Sequence, residues 1–290
     1  MKPLRTRLLE SREQLKMPWE VLERDYLLSW ILAGISRVDI LRTNLVFKGG
    51  TALKKCYFGN YRFSEDLDFT GLALTPHGEA LYTAMQEACT QAAKLLDSYV
   101  PIEISCQRYQ ERQPHPRGQE AFDIRARFHW HRQPQTTIIV EITCDEKLMR
   151  PSVNLPVIHE YGEILDAVLQ VYSLEEIIAE KLRAILQNIQ TFERKGWVRS
   201  RARDYYDLWR ILSTYKLSLN LSNFPAILYQ KCQSREVNFK NSNSFFSQKL
   251  LTEVEKTWDQ WLQPLLSHLP PYELVIKELR LQVEELLCNE

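Results

Sequence analysis

Long hydrophobic runs are missing from this sequence. The longest apolar stretch, Tyr26 to Ile35, falls well short of the roughly 20 mainly apolar residues that a membrane-spanning helix needs, so it is expected to be a buried helix. The start, Met1-Lys2-Pro3-Leu4-Arg5, leads to charge rather than to an apolar core, and no signal peptide is expected. Cysteines lack ligand spacing: Cys56, Cys89, Cys106, Cys144, Cys232 and Cys288 form no Cys-x-x-Cys pair. That excludes a zinc or disulfide framework and leaves reduced, cytoplasmic thiols as the expectation. Charge of one sign is not in excess either, since 37 basic and 37 acidic residues give a net charge of +0. A whole-surface nucleic-acid binder is thereby excluded, whereas a local basic cleft is not. Repeats and low-complexity tracts are also absent.

What is present is enough for a sizeable core: 290 residues, 44% of them hydrophobic, suit one large domain or two modest ones. Leu45-Val46-Phe47-Lys48 is a short apolar run suited to a buried strand. Gly49-Gly50-Thr51 then lets the backbone turn sharply and approach a ligand closely. Ala52-Leu53-Lys54-Lys55 follows with good helix formers, so loop amides and a new helix start could face a phosphate together. In Phe63-Ser64-Glu65-Asp66-Leu67-Asp68-Phe69, alternation points Asp66 and Asp68 one way and Leu67 and Phe69 into the core. Two acids so close repel each other, and a divalent cation such as Mg²⁺ removes that cost. Alone, the glycine turn is commonly just a turn and Asp-x-Asp a solvated edge; their order along the chain gives them weight.

Thr136 to Thr143 is rich in β-branched residues and is interrupted by Glu141, a candidate third acid or a carboxylate on a half-exposed strand face. Asp145 and Glu146 compete for that role, but they fall past the apolar run, where charges commonly mark a turn. Before this strand, Ile124, Ala126, Phe128 and Trp130 alternate with Arg125, Arg127, His129 and His131. The basic face is expected in solvent, and the two segments should pair as an antiparallel hairpin. His129 and His131 lack a partner set for zinc.

Two helical segments carry further candidates. Ser173 and Glu176 read as a capping box. Beyond it Lys181 interrupts the apolar stripe of Ile177, Ile178, Leu182 and Ile185. The residues leave two readings for this lysine: a long stem that snorkels or pairs with a buried acid, or an ammonium facing phosphate in a cleft. In Arg203-Asp204-Tyr205-Tyr206-Asp207-Leu208-Trp209, Asp204 extends a stripe through Leu208 and Ile211, while Asp207 neighbours Arg203 and Arg210. Both acids could instead serve the helix N-terminus. Arg194, Lys195, Arg199, Arg201 and Arg203 crowd a segment containing Trp197, either as a solvated face or as a grip on triphosphate or RNA.

The string Phe47-Lys48-Gly49-Gly50-Thr51-Ala52-Leu53 with Arg62-Phe63-Ser64-Glu65-Asp66-Leu67-Asp68-Phe69 resembles the first motif of the polymerase-β-type nucleotidyltransferases. More narrowly it resembles the AbiEii/AbiGii-type toxin nucleotidyltransferases. Glu180-Lys181-Leu182-Arg183-Ala184 and Arg203 to Leu208 are similar to that family's later motifs, so the likeness spans roughly residues 20 to 210. The fourteen residues between Thr51 and Asp66 are long for the superfamily pattern, and Gly59-Asn60 puts the extra length in a turn.

The resemblance implies an α+β fold: a polymerase-β-like core with a mixed sheet, followed by a mainly helical C-terminal part. The expected boundaries are an N-terminal helical segment over 1–44, the core over 45–150 and a C-terminal domain over 151–290 that completes the cleft. Pro151 to Pro156 and Gln233 to Ser247 read as connectors or surface excursions. The resemblance further implies a Mg²⁺-dependent, two-metal nucleotidyltransferase toxin with a cognate antitoxin. Gly49, Gly50, Thr51 and Lys181 would bind the triphosphate, Asp66, Asp68 and Glu141 the metals, and Asp204 would act in catalysis with Asp207 as its supporting ion-pair residue. The acceptor would be RNA, foremost a tRNA 3′ end. A protein or small-molecule acceptor, or an idle binding protein on the same fold, are the alternatives.

Overall fold

The computed structural model describes residues 1–109, 119–133, 135–196 and 200–288. The chain forms two compact units, Met1–Glu146 with Ser152–Tyr172, and Lys147–Pro151 with Ser173–Glu290.

The first unit is built on one mixed sheet. Its strands are β1 (Leu45–Lys48), β2 (Leu67–Gly71), β3 (Glu103–Arg108), β4 (Gln119–Arg127), β5 (Thr136–Thr143), β6 (Val153–Pro156) and β7 (Val168–Val171). They lie in the order β3-β4-β5-β2-β1-β7-β6. The β2–β5 and β1–β7 pairs are parallel and the others antiparallel. Alternation behaves as the sequence suggests: Thr136, Ile138, Val140 and Ile142 are buried, while the residues between them are half-exposed. The expected hairpin is there, with Ile124 opposite Ile138 and Ala126 opposite Thr136.

Helices α1 (Leu4–Leu15), α2 (Trp19–Ser36) and α3 (Asp39–Asn44) precede the sheet, and α4 (Gly49–Ala52) and α5 (Gly78–Asp97) interrupt it. The apolar stretch from Tyr26 to Ile35 is apolar on all sides and is buried throughout α2, as a core helix should be. α5 meets it with a stripe that includes Ala84, Ala88 and Ala92. At Gly34 the two helices touch backbone to side: an added Cβ would lie 2.1 Å from the Ala88 carbonyl oxygen.

The sheet runs past the expected core boundary at Arg150. Pro151 to Pro156 was expected as a connector, yet Val153–Pro156 is the edge strand β6, and β7 joins β1 through Phe47 and Val171. Four-residue strands of this kind are too short to carry a periodic signal.

The second unit is helical: α6 (Leu174–Lys195), α7 (Ala202–Tyr215), α8 (Phe224–Gln233), α9 (Gln248–Leu262) and α10 (Tyr272–Cys288). Ser173 caps α6, its Oγ accepting from the Glu176 N–H at 3.2 Å. The Glu176 side chain does not complete a capping box. Its Oε2 accepts from the N–H groups of Met149 and Arg150 at 3.0 and 2.9 Å, fastening the Lys147–Pro151 segment. Between α8 and α9 the expected connector includes a short 3-10 turn, Ser242–Phe245, with Phe245 buried. Among the described residues no helix is long and apolar enough to cross a membrane.

Candidate active site

The first unit assembles its candidate site from β1, β2, β5 and the glycine turn. Asp68 stands opposite Glu141 in the parallel β2–β5 register. Directly paired residues project from the same face about 5 Å apart, so these two carboxylates are neighbours. Leu67 and Phe69 are buried, as alternation requires. Asp66 differs from expectation: β2 begins at Leu67, and Asp66 is exposed just ahead of the strand. Asp145 is exposed and lies beyond the last residue of β5, outside this register.

The glycine turn leans on this pair. Gly49 has φ +81°, and a Cβ there would lie 2.4 Å from Asp68 Oδ2. Only glycine allows both that conformation and that approach of backbone to carboxylate. At Gly50 a Cβ would meet Arg62 Nη2 at 2.2 Å, so the buried Arg62 guanidinium covers the second glycine. Thr51 is buried, and its hydroxyl donates to the Asp66 carbonyl at 2.5 Å. Its side chain thus ties the turn to the acidic segment.

The helix start behind the turn is held from beneath. Residues Leu53–Phe58 continue α4 as a π-helical turn that ends at Gly59, φ 61°. Lys54 donates to the Gly59 carbonyl at 2.9 Å, and Lys55 pairs with Asp25 of α2 at 2.8 Å. Both lysines are buried. Burial pushes the Lys55 ammonium down, opposed by the adjacent Asp25 charge. Burial also acts on the Asp25 carboxyl, upwards, but Lys55 and Lys54 outweigh it and hold it below its ordinary value. Spacing along the chain carries no signal for this pair, because its members sit on different elements.

An oxygen-only donor set fits Mg²⁺, which takes one or two carboxylates together with substrate phosphates and water. Asp68 and Glu141 supply such a pair, with Asp66 at the strand entrance. Among the described residues no cluster of three or more His, Cys, Asp or Glu forms a ready-made metal cage.

In the second unit Lys181 is buried and bonded to two acids. Its Nζ lies 2.8 Å from Asp204 Oδ1 and 2.7 Å from Asp207 Oδ2. Arg201 adds a second cation, 3.1 Å from Asp204 Oδ2. Burial raises the Asp204 carboxyl, but Lys181 and Arg201 outweigh it and keep it below its ordinary value. The pairing with buried acids that the sequence allowed for Lys181 is present. Asp207, expected beside Arg203 and Arg210, is fully buried and reaches Lys181.

The basic cluster is only partly available. Arg194 is exposed, Arg201 is engaged with Asp204, and the Arg203 guanidinium stacks 5.2 Å from the centre of the Trp261 ring. Arg199, Trp197 and the Lys195 side chain lie outside the described residues.

One side chain expected in solvent turns inward. β4 ends at Arg127, so alternation stops there, and a turn carries the His131 side chain inward to Glu23, Nε2 to Oε1 at 3.0 Å. Trp130 Nε1 donates to the same oxygen at 2.5 Å. A cavity of about 650 Å³ opens nearby, lined by Lys94, Asp97, Glu103, Arg127, His129 and His131 among others; it contains none of the motif residues.

A mixed sheet bearing a glycine turn against paired acids, in an α+β chain with a helical second unit, defines the nucleotidyltransferase class. The family model described as nucleotidyl transferase AbiEii toxin of type IV toxin–antitoxin systems matches residues 30–284. The chain belongs to that family, and is a nucleotidyltransferase toxin of a type IV system. In fold it is similar to MenT4, a nucleotidyltransferase toxin from Mycobacterium tuberculosis H37Rv, with 22% identity, a TM-score of 0.61, and 97% of this chain and 88% of that chain covered. No curated protein sequence matches the chain.

Proposed function

We propose that the protein transfers a nucleoside monophosphate from a nucleoside triphosphate to an acceptor hydroxyl, releasing pyrophosphate, with Mg²⁺ held by Asp68, Glu141 and Asp66. The observation that carries this reading is the Asp68–Glu141 register beside the Gly49 turn. When bound, the cation would neutralise triphosphate charge and polarise the transferring phosphoryl group. The chain's own contribution is positional: Gly49 and Gly50 let the backbone approach the triphosphate, and Thr51 fixes Asp66 relative to that turn. Family resemblance brings in Lys181 for developing phosphate charge and Asp204 for the acceptor hydroxyl.

The acceptor proposed is RNA, foremost a tRNA 3′ end, because a single-stranded terminus offers the hydroxyl and bases that a paired helix hides. A cognate antitoxin protein is the proposed partner, and the reduced cysteines fit the cytoplasm. Incubating the protein with each labelled triphosphate, Mg²⁺ and total cell RNA tests the reading. Label is expected on RNA, and lost in Asp68→Ala; label on protein or a small molecule alone would reject RNA but keep the transferase.

A second reading of Lys181 is favoured by its two aspartate partners at 2.7 and 2.8 Å: a purely structural hub of α6 and α7.

A further inference from the structure

Lys48 completes the row that Asp68 and Glu141 begin. It stands opposite Asp68 in the antiparallel β1–β2 register, just as Glu141 stands opposite Asp68 on the other side. Directly paired residues share a face, so the order across three adjacent strands is cation, acid, acid. Lys48 is only 7% exposed. Its ammonium lies 5.8 Å from the centre of the Tyr172 ring. That ring is fixed in turn: the Tyr172 N–H donates to the Phe47 carbonyl at 2.9 Å, and its hydroxyl is 2.6 Å from Thr70 Oγ1. Lys48 is therefore confined beside the acids and cannot spread into water as surface lysines do. The next residue, Gly49, packs its backbone on the Asp68 carboxylate.

Two neighbouring carboxylates repel, and a buried ammonium needs anionic charge near it. Each problem answers the other. We propose that Lys48 is a positioning residue of this site: its ammonium is the resident counter-charge of Asp68 and Glu141, holding the two carboxylates together before a divalent cation arrives and weakening that cation's binding. The proposal rests on the reading of Asp68 and Glu141 as the cation-binding pair.

Mn²⁺ binding to the whole chain without nucleotide, by calorimetry at pH 8, tests it on the wild type, Lys48→Met, Lys48→Arg and Asp68→Asn. Thermal unfolding in chelator and in Mn²⁺ accompanies each titration. Removing one adjacent like charge from a cation site is worth about tenfold. Lys48→Met is expected to bind Mn²⁺ about tenfold more tightly, to melt lower than wild type in chelator, and to gain more from Mn²⁺. Lys48→Arg is expected to restore both. Unchanged or weaker Mn²⁺ binding by folded Lys48→Met overturns the proposal. Should Lys48→Met not fold, Lys48→Gln carries the same measurement. Wild type that binds no Mn²⁺, or Asp68→Asn that binds it normally, overturns the cation-site reading and this proposal with it. The expected order of affinities without any nucleotide transfer would instead refute the activity and leave Lys48 in its role.

Discussion

Lys231 and Glu176 form an ion pair sealed from water, Nζ to Oε1 at 2.6 Å with neither side chain exposed. The same carboxylate receives the N–H groups of Met149 and Arg150, and Lys231 also donates to the Lys147 carbonyl at 3.1 Å. The pair thus clamps the Lys147–Pro151 segment to α6 and α8. Removing one partner of a buried pair strands the other charge, at a cost of about 3–5 kcal/mol. Lys231→Met is expected to lose about that much in urea unfolding. Adding Glu176→Gln, which keeps an acceptor for a backbone amide, should recover a good part of the loss; no recovery would mean that the pair is not the unit of stability.

Gly49→Ala separates site geometry from global stability. The new methyl meets Asp68 Oδ2, and the φ of +81° is one that alanine rarely adopts. Strain of this kind costs about 1–3 kcal/mol, while displacement of the carboxylate acts directly on the reaction. Transfer activity is expected to fall by about a hundredfold. Gly34→Ala is the control: its methyl meets the Ala88 carbonyl between α2 and α5, so stability should fall while turnover per folded molecule holds.

Much of this was legible in the chain. Alternation alone placed Leu67 and Phe69 inside, and the glycine turn announced itself because Gly49 needs a conformation that few residues adopt. Register between strands distant in sequence was not legible, and it is register that sets Lys48 and Glu141 on either side of Asp68. Period-two reasoning also failed where the strand stopped, which is why His131 was expected in water and lies against Glu23. For Lys181, spacing exposed an anomaly on an apolar stripe but could not name its partners, since they belong to another helix.

Acid should attack the first unit through Glu163. This buried carboxylate accepts from Tyr26 at 2.9 Å and faces His159 Nε2 at 3.1 Å, with Arg7 beside it. Burial pushes it up, but the hydrogen bonds from His159 and Arg7 lead those that bring it down to about 2, from an ordinary 4.5. A depressed folded-state value contributes stability above the unfolded value and loses it as pH falls towards the folded one. The loss should therefore fall between about pH 4.5 and 2 and reach about 3 kcal/mol. Urea midpoints across that window should drop more steeply for wild type than for Glu163→Gln; parallel slopes would reject Glu163 as the source.

Lys181→Met decides between a structural hub and a phosphate-facing lysine, provided that folding is controlled. The single change keeps the apolar stem but leaves Asp204 and Asp207 together without their shared cation. Asp207 is fully buried, so the change is expected to cost about 3–5 kcal/mol. Asp207→Asn added to Lys181→Met removes the buried carboxylate's charge while keeping Asp204 and Arg201 paired. The double variant should unfold closer to wild type than the single one does. With the fold restored, a structural lysine predicts restored transfer, whereas a lysine that meets developing phosphate charge predicts activity still down by about a hundredfold or more. Single-turnover kinetics on the folded double variant read this directly. Restored turnover would confine Lys181 to the scaffold of α6 and α7, and continued loss would place its charge in the reaction.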